Sequence, residues 1–486
     1  MGSEHVVVVG GGVGGLCAAL ALGRAGHRVT LLERDVVPDV DDADAAFAID
    51  RQGAPQVHQT HGFLARLVVE LRDRFPDVLD AMLAAGCTTM PTTTDLGEPM
   101  PGDDDLQVLV VRRTTFEWVL RTIVAAEPSV TTRSGVGVTG LIADVPAAGA
   151  VPVVTGVRLD DGSTVDGDAV VAATGRRGPV DRWLADIGVE IDEKVVESGL
   201  MYLSRWYELP ATPEIEMDAK LGGDLGFVKY LGVPGDGDTL SITLAVRTAD
   251  KDLRSALGDA DRFEQACRVL PGPDRFFRDG PLEPIGGVRP MGGLLNRRRR
   301  FVDDSAPLVL GFHALGDAHT CTNPLYGRGC SIALVQAIHL ADAFAAHPDD
   351  PSARATAYEQ AAATHIEPWF DVSVQMDRMG ADPAGLAEAT ARDEGDGDDP
   401  ADAPADDAAR GMGAVFAAAA TDPIIGRALA RFMNMLATPA DLMTDAATMA
   451  RMAEVMANPD DHPLPPREGP RRRELLALLD PEAVAP

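Results

Sequence analysis

Cysteine is scarce in this chain, and the few cysteines lack the spacing of a disulfide framework. The chain has five, Cys17, Cys87, Cys267, Cys321 and Cys330, and no two of them form a CxxC pair. An odd, scattered set argues against disulfide pairing and is typical of proteins kept in a reducing compartment. We therefore predict a cytoplasmic protein.

Long apolar runs are also missing. No stretch reaches the roughly 18 consecutive apolar residues that indicate a transmembrane helix, so the sequence predicts no membrane span. The early apolar stretch Val6–Leu22 is interrupted by glycines and follows no basic segment, so it does not resemble a signal peptide.

Basic residues are also few in relation to acidic residues. Lys and Arg number 43 against 75 Asp and Glu, which gives a formal net charge of −32. A field of this sign repels nucleic acids and anionic membranes, so we exclude a nucleic-acid-binding function. With 486 residues, of which 45% are hydrophobic, the chain is long enough for about two or three packed units.

A glycine-rich turn near the N-terminus carries the first functional signal. Gly10, Gly12 and Gly15 occupy the glycine positions of a GxGxxG motif that follows the β-branched run His5–Val9 and opens a helix. The first glycine permits a tight turn, the second lets the backbone approach a pyrophosphate, and the third lets the helix pack closely on the strand. Free N–H groups at the helix N-terminus suit the same anion. The motif predicts a dinucleotide site.

The end of the next predicted strand, Arg28–Leu32, narrows the choice of dinucleotide. Glu33 follows this strand directly, where a carboxylate accepts hydrogen bonds from ribose hydroxyls. Because an acidic residue disfavours a ribose 2′-phosphate, the bound nucleotide is predicted to be FAD or NAD.

A second glycine-rich segment lies about 300 residues further along. It consists of Gly316-Asp317 and then Asn323-Pro324-Leu325-Tyr326-Gly327-Arg328-Gly329-Cys330, before a helix predicted over Ser331–Ala345. Here the chain resembles the FAD-binding flavoprotein monooxygenases related to para-hydroxybenzoate hydroxylase. The resemblance implies that Gly316-Asp317 contacts the ribityl and pyrophosphate groups of FAD, and that the following segment passes along the isoalloxazine ring.

Two further segments extend this resemblance. Arg113-Thr114-Thr115-Phe116-Glu117 resembles the family's arginine before a helix, whose guanidinium reaches the cofactor. Arg51-Gln52-Gly53-Ala54-Pro55-Gln56, followed by His61-Gly62-Phe63-Leu64, resembles bacterial flavin epoxidases and hydroxylases of polyether biosynthesis, which in turn resemble squalene epoxidase. His58 and His61 are not predicted to bind a metal, because no third ligand accompanies them.

The motifs and the resemblance together predict a set of cofactor-binding residues. They are Gly10, Gly12, Val13, Gly14, Gly15, Glu33, Arg34, Arg51, Arg113, Val138, Gly316, Asp317, Pro324, Gly327, Arg328 and Gly329. No catalytic side chain is predicted, because the cofactor carries the chemistry in such enzymes.

One departure from the resemblance concerns the electron donor. Many aromatic hydroxylases carry an Asp-Gly pair in mid-chain that is linked to nicotinamide and flavin binding, whereas the equivalent strand here is followed by Thr174-Gly175. NAD(P)H is still expected as the electron donor, acting either directly or through a separate flavin reductase.

The predicted fold class is α/β. A Rossmann-like FAD-binding domain, with a parallel sheet and a three-stranded β-meander, is expected over 1–80, 105–195 and 285–345. A β-sheet substrate domain is expected over 81–104 and 196–284, and a C-terminal helical region over 346–486 with an acidic linker at 393–407.

Local patterns predict the individual elements. Further helices are expected over 62–86, 115–124 and 411–457. Further strands are expected over 106–111, 136–142, 153–159, 169–173, 199–208, 226–231, 239–248 and 308–312. The turn Asp160-Asp161-Gly162 predicts a hairpin between the strands at 153–159 and 169–173.

The resemblance implies an FAD-dependent monooxygenase of secondary metabolism. It would insert one oxygen atom from O2 into a small, largely apolar substrate through a flavin C4a-hydroperoxide, by hydroxylation or epoxidation. The substrate is expected near Tyr202, Arg205 and Tyr207, and Arg205 either binds a substrate anion or pairs with a carboxylate. The alternatives are a geranylgeranyl-reductase-like reductase or dehydrogenase, a halogenase, and a flavin-binding protein without enzymatic activity.

Overall fold

The computed structural model describes residues 3–145, 150–210, 221–278, 280–303, 306–381, 407–463 and 468–479. Its strands are β1 (His5–Val9), β2 (Arg28–Glu33), β3 (Thr88–Pro91), β4 (Gln107–Val110), β5 (Val130–Ser134), β6 (Val138–Asp144), β7 (Val153–Leu159), β8 (Thr164–Asp166), β9 (Ala169–Ala172), β10 (Asp192–Glu197), β11 (Leu200–Glu208), β12 (Gly222–Asp224), β13 (Val228–Gly235), β14 (Thr239–Arg247), β15 (Glu283–Met291), β16 (Leu295–Arg300), β17 (Val302–Asp303), β18 (Ala306–Pro307), β19 (Phe312–Ala314) and β20 (Thr320–Cys321).

The helices follow the same chain order. They are α1 (Val13–Arg24), α2 (Ala43–Phe47), α3 (Ala65–Arg74), α4 (Pro76–Ala84), α5 (Arg113–Ala126), α6 (Val180–Ala185), α7 (Lys251–Leu257), α8 (Ala260–Cys267), α9 (Gly329–Ala346), α10 (Pro351–His365), α11 (Glu367–Ala381), α12 (Asp407–Ala418), α13 (Pro423–Met433), α14 (Pro439–Thr444), α15 (Ala446–Ala457) and α16 (Arg472–Leu479). The acidic linker predicted at 393–407 lies outside the described residues, except for its last residue.

A five-stranded parallel sheet forms the first layer, in the order β19-β9-β1-β2-β5. Residues Val6–Val9 are buried, as expected for a central strand covered on both faces. Helices α1 and α9 pack on one face of this sheet, and the antiparallel meander β6-β7-β8 shares an apolar core with the other. This arrangement confirms the predicted Rossmann-like fold with its three-stranded meander.

A second, antiparallel sheet has the order β12-β13-β14-β11-β15. One face packs on α7, α8 and α16, with Leu253, Phe263 and Leu475 in a shared core. The strands predicted over 199–208, 226–231 and 239–248 are its central members β11, β13 and β14. Arg112 ties this sheet to α5, because its guanidinium and its backbone N–H both donate to the buried carboxylate of Asp236 on the β13–β14 turn.

The turn Asp160-Asp161-Gly162 lies where it was expected, but it leads to a different strand. It joins β7 to β8, a three-residue strand absent from the prediction, and these two pair antiparallel. The strand at 169–173 corresponds to β9, which leaves the meander and lies parallel to β1. The predicted pairing of 153–159 with 169–173 is therefore wrong.

The strand predicted over 308–312 is displaced toward the C-terminus, since β19 begins only at Phe312. Gly311 has a φ of +67°, and a Cβ added there would overlap the carbonyl oxygen of Val154. This left-handed residue interrupts the extended run before β19, which a count of apolar residues does not reveal.

Two predicted helices are divided by prolines. The region 62–86 forms α3 and α4, separated by Phe75, which lies outside the helical region at φ −140° and ψ 55°; Pro76 disfavours helical backbone at the residue that precedes it. The region 411–457 forms parts of α12 to α15, and Pro423 and Pro439 each start a new helix.

Helix α9 is long and apolar enough to cross a membrane by length and composition alone. However, 72% of it is buried inside the fold, where it packs beside α1 and under α10. It is therefore a core helix of the nucleotide-motif half, and no other helix of the described ranges meets the same test.

Candidate functional site

A cavity of about 470 Å³ opens at the carboxyl ends of β1, β2 and β9 and extends to the second sheet. Its volume falls within the range of about 300–1,000 Å³ that is usual for small-molecule sites. The predicted site residues that line it are Gly10, Gly12, Val13, Gly14, Glu33, Arg34, Arg51, Arg113, Val138, Tyr202, Gly316, Asp317, Pro324, Gly327 and Gly329. The structure thus brings together motifs that lie about 300 residues apart in the chain.

Two predicted cofactor-binding residues lie outside the cavity wall. Gly15 is under it, where an added Cβ would overlap the carbonyl oxygen of Gly10, so its role is the close packing of α1 on β1. Arg328 is fully buried on the far side of its loop and donates to Ser373 Oγ at 2.7 Å. Its guanidinium also lies over the ring of Trp369, so these contacts are with α11 and not with the cavity.

Arg205 and Tyr207 also lie outside the wall, contrary to the prediction. Successive side chains of a strand point to opposite faces, and Tyr202 is the residue of β11 that reaches the cavity with its even-numbered neighbour Ser204. The Arg205 guanidinium lies over the Tyr207 ring, donates to the carbonyl oxygen of Ala260 at 3.2 Å and pairs with Glu264 at 3.8 Å. Of the two roles considered for Arg205, the structure therefore shows the pairing with a carboxylate.

Glu33 is held in one orientation at the end of β2. One carboxylate oxygen accepts a hydrogen bond from Gly11 N at 2.6 Å, and the other accepts from Asp35 N at 2.8 Å. Arg51 approaches the first of these oxygens at 2.9 Å and also pairs with Asp35 and Glu117. The guanidinium of Arg51 is thus engaged by three carboxylates, and it fixes the loop and Glu33 around the cavity.

Arg113 begins α5 and points into the cavity beneath the first motif. Its guanidinium pairs with Glu117 at 3.1 Å and lies 3.2 Å from Nε2 of His61. Burial, followed by the charge of Arg113, lowers the pKa of His61 to about 3. His61 is therefore neutral, with its proton on Nδ1 toward the carbonyl oxygen of Gln59 at 2.8 Å, and Nε2 accepts from Arg113.

Asp317 is a carboxylate in the cavity with no ion pair among the described residues. Burial raises its pKa, while the charges of Arg176, Arg113 and Arg297 act in the opposite direction. A carboxylate in such a place is stabilised by hydrogen-bond donors, which the hydroxyls of a sugar-like chain would supply. This is the chemistry that a ribityl group offers.

Two glycines of the cavity wall have no steric reason within the protein to be glycine. An added Cβ at Gly12 would come no closer than 4.0 Å to another atom, that of the Arg113 guanidinium, and at Gly329 it would meet nothing within 4 Å. Neither residue has a positive φ. Both positions therefore leave open space on the cavity side, which fits a bound group that approaches the backbone closely.

The sequence reading missed the buried carboxylate that holds the second motif in place. Asp377 on α11 accepts hydrogen bonds from Asn323 Nδ2 at 2.7 Å, Asn296 Nδ2 at 2.7 Å and the Tyr326 hydroxyl at 2.9 Å. Asn323 in turn accepts from the hydroxyl of Tyr202. The network thereby connects α11, the segment after β20 and the second sheet at the edge of the cavity.

A sequence signal for this contact does exist. Trp369, Ser373 and Asp377 are spaced by four residues and therefore share one face of α11. Burial raises the pKa of Asp377, and its three hydrogen-bond donors oppose that shift. The face formed by these three residues is called the α11 clamp below.

Comparisons with known proteins agree with this geometry. Residues 5–98 match the family model of FAD dependent oxidoreductases. Protein Rv3254 of Mycobacterium tuberculosis is 28% identical over 373 residues, which cover 69% of this chain and 72% of that protein.

Several solved structures share the fold. PqsL of Pseudomonas aeruginosa, described as a probable FAD-dependent monooxygenase, aligns with a TM-score of 0.55 and 19% identity over 77% of this chain and 94% of its own. The p-nitrophenol 4-monooxygenase PnpA of Pseudomonas putida aligns at 0.53 and 18% over 80% and 93%. The flavin-dependent brominase Bmp2 aligns at 0.54 and 19% over 80% and 92%. The N-terminal part of the chain thus matches a model of FAD dependent oxidoreductases, and the chain shares its fold with these flavin enzymes.

Proposed function

We propose that this protein is an FAD-dependent monooxygenase that inserts one oxygen atom from O2 into a small, largely apolar substrate, by hydroxylation or epoxidation. The proposal rests on one observation: the nucleotide motifs and the second sheet line the same cavity, on two different walls. One wall holds the nucleotide motifs with Gly12 and Asp317, and the other is the face of the second sheet with Tyr202, Tyr230 and Met291. A flavin and an organic substrate can therefore meet inside one enclosure.

The residues that would hold FAD follow from their chemistry. The backbone at Gly12 and the N-terminus of α1 suit its pyrophosphate, Glu33 suits a ribose hydroxyl, and Asp317 suits the ribityl hydroxyls. Gly329 would lie beside the ring. When bound and reduced, FAD supplies the activation of O2. Within this proposal, the ranges 1–80, 105–195 and 285–345 form the FAD-binding domain, and 81–104 and 196–284 form the substrate domain.

The side chains and helix ends of the protein would orient the bound groups, limit access of water and adjust the charge around them. The N-terminus of α9 at Gly329 directs its partial positive charge at the cavity and favours negative charge that develops there. Neutral His61 holds Arg113 in place by accepting its hydrogen bond, without adding a second charge. On the side of the second sheet, the aromatic rings of Tyr202 and Tyr230 and the side chain of Met291 limit water near the substrate, which protects reactive oxygen species from unproductive loss.

A flavin-dependent halogenase is the second candidate, because the brominase Bmp2 matches the fold as well as the monooxygenases do. Geranylgeranyl-reductase-like chemistry has no such neighbour among the structures compared above. NAD(P)H as electron donor, a separate flavin reductase, O2 as co-substrate and a cytoplasmic location all belong to the proposal. The location is supported by the five cysteines, which are all buried free thiols.

Spectroscopy of the purified protein tests the function. We expect a flavin absorbance spectrum that NADH or NADPH bleaches under anaerobic conditions and that O2 restores. With isotopically labelled O2 and a panel of aromatic and alkenyl compounds, one labelled atom should enter the product. Bleaching only after addition of a flavin reductase would assign the donor role to a partner. Label that never enters a product, together with bromination when bromide is present, would favour the halogenase.

A further inference from the structure

A row of hydroxyl groups crosses the cavity wall formed by the second sheet. Thr60 precedes α3, Ser204 lies on β11, and Ser241 and Thr243 lie on β14. Thr60 and Thr243 are 2.6 Å apart, Ser204 and Thr243 are also 2.6 Å apart, and Thr60 contacts Ser241. Thr60, Ser204 and Thr243 line the cavity, whereas Ser241 is buried behind it.

The direction of the first hydrogen bond in this row is fixed by a backbone carbonyl. The side-chain nitrogen of Gln59 donates to the carbonyl oxygen of Arg289 at 3.1 Å, and that oxygen can only accept. The amide oxygen of Gln59 is therefore the atom that faces Ser204, at 2.8 Å. Because an amide oxygen can only accept, the single hydroxyl hydrogen of Ser204 is committed to it.

Every later bond in the row then has one direction. With its hydrogen used, Ser204 accepts from Thr243, and Thr243 accordingly accepts from Thr60. Thr60 in turn accepts from Ser241. A hydroxyl carries one hydrogen and two lone pairs, so each of the three cavity-facing hydroxyls keeps one lone pair and no hydrogen for a ligand.

We infer that this hydroxyl row accepts hydrogen bonds but cannot donate them, and that the substrate therefore carries an O–H or N–H donor on an otherwise apolar frame. A phenol, an alcohol or an indole-type N–H would satisfy the free lone pairs of Thr60, Ser204 and Thr243. A ketone, an ether or a carboxylate would face lone pairs and lose its own hydration without replacement, which disfavours its binding. This inference rests on the proposed function, since it describes the substrate end of the same cavity.

The charges of the cavity agree with an uncharged donor. Lys229 is the cation on the sheet side of the cavity, and its ammonium group is paired with the carboxylate of Asp224. The Asp224 carboxylate offsets the charge of that ammonium group and so weakens its attraction for a substrate anion. We therefore expect the hydroxyl row, and not Lys229, to determine which substrates bind.

Matched probes test the inference on the FAD-loaded protein. The pairs are 1-naphthol with 1-methoxynaphthalene and indole with N-methylindole, and binding is followed by perturbation of the flavin absorbance. We expect the member with the donor to bind about fivefold to tenfold more tightly, as a net hydrogen bond to a neutral group allows. If no donor member binds more tightly than its methylated partner, including the case in which neither binds, the inference is overturned.

Two variants locate the effect. Thr243→Val interrupts the row in its centre, removes one lone pair and releases the hydrogen of Thr60, so the preference for the donor probe should fall to about twofold or less. Ser241→Ala removes a hydroxyl behind the wall and leaves the direction of the other bonds unchanged, so the preference should persist. An unchanged preference in Thr243→Val would show that the row does not select the ligand.

The design separates this inference from the proposed function. Binding is measured without a reductant, so an enzyme that transfers no oxygen can still show the preference. Conversely, if the protein inserts labelled oxygen but binds ethers as tightly as phenols, the proposed function stands and the inference about the hydroxyl row is overturned.

Discussion

At the scale of the residue, glycines of one motif serve different purposes. Gly12 faces open cavity space, whereas Gly15 lies against the backbone of Gly10. We expect Gly12→Ala to leave the stability of the flavin-free protein nearly unchanged and to weaken FAD binding at least about tenfold, because its methyl group occupies the space of the ligand. Urea unfolding of the flavin-free protein and a fluorescence titration with FAD measure the two effects.

Gly15→Ala should act in the opposite manner. Its Cβ overlaps a backbone atom that cannot move away without separating α1 from β1, so we expect a loss of several kcal/mol in the free energy of unfolding, or no folded protein. Gly287→Ala on β15 is the control, because an added Cβ meets nothing within 4 Å and the residue does not line the cavity. Equal stability of the Gly12→Ala and Gly15→Ala variants would refute this division of roles.

Glu33 allows a second test at this scale. Replacing it with Gln keeps its size but removes the charge that holds Gly11 N and Arg51. We expect FAD to bind about tenfold more weakly, since hydrogen bonds to a charged group contribute about 1.5–3 kcal/mol. Isothermal titration with FAD gives the measurement, and Glu190→Gln at the exposed surface serves as the matched change. Identical affinities of the two variants would remove Glu33 from the proposed site.

At the scale of the element, the α11 clamp makes the C-terminal region part of the candidate flavin site. Asp377→Asn places an amide opposite two amide donors and the Tyr326 hydroxyl, so the loop from Asn323 to Gly329 should lose its fixed position. We expect weaker FAD binding, a shifted visible spectrum of the bound flavin and an altered reduction potential.

Asp371→Asn is the control on the same helix. Asp371 is exposed and is 3.7 Å from Lys194, so its charge contributes little to the fold. A merely structural role of Asp377 would lower thermal stability and leave the flavin spectrum and potential at their original values.

Elements near each other in the chain were the most predictable. The strands β1 and β2 agree with their predicted bounds to within one residue, and α1 begins inside the glycine motif as predicted, because periodicity and glycine spacing are local properties. The pairing of β7 and the start of β19 failed, because a three-residue strand and a left-handed glycine leave almost no periodic trace. Arg205 failed for another reason: the face of a strand reverses with every residue, and only the packed sheet decides which face is the cavity side.

At the scale of the whole molecule, several buried or half-buried histidines are held without charge. Burial is the main cause that lowers the pKa to about 3 for His61, to about 3 for His313 and to about 4 for His339, against an ordinary value of 6.5. Below pH 6.5 the unfolded chain therefore takes up protons that the folded chain does not. The free energy of unfolding should fall as the pH drops from about 6.5 toward 4.

His313 provides the variant for this prediction, because its ring packs between Phe344 and Tyr358. Between pH 7 and pH 5 the free energy of unfolding of the original protein should fall. In His313→Phe this fall should be smaller by about 1–2 kcal/mol, because one histidine with a strongly lowered pKa has been removed. Urea midpoints at the two pH values measure it, with His462→Gln as a variant outside the core. A pH effect of the same size in His313→Phe would contradict the assignment.

The candidate site as a whole was predictable only in its nucleotide half. Two glycine motifs predict the residues of the proposed dinucleotide site, because backbone approach restricts residue type wherever it occurs. The α11 clamp, its Asn partners and the hydroxyl row contain ordinary Ser, Thr, Asn and Asp residues, whose contacts become visible only when distant segments meet. The four-residue spacing of Trp369, Ser373 and Asp377 shows that these residues share a helix face, but it does not show what that face contacts.

The packing of α1 against α9 has a consequence for biosynthesis. Leu16 and Leu20 of α1 share a core with Ala337 and Ile338 of α9, yet a ribosome makes the two helices about 300 residues apart. For most of translation the nascent chain must carry an uncovered apolar surface, a state that attracts chaperones and aggregates without them. Flavin loading is then a late event, and a message cut short before α9 would yield insoluble polypeptide and not a smaller yellow protein.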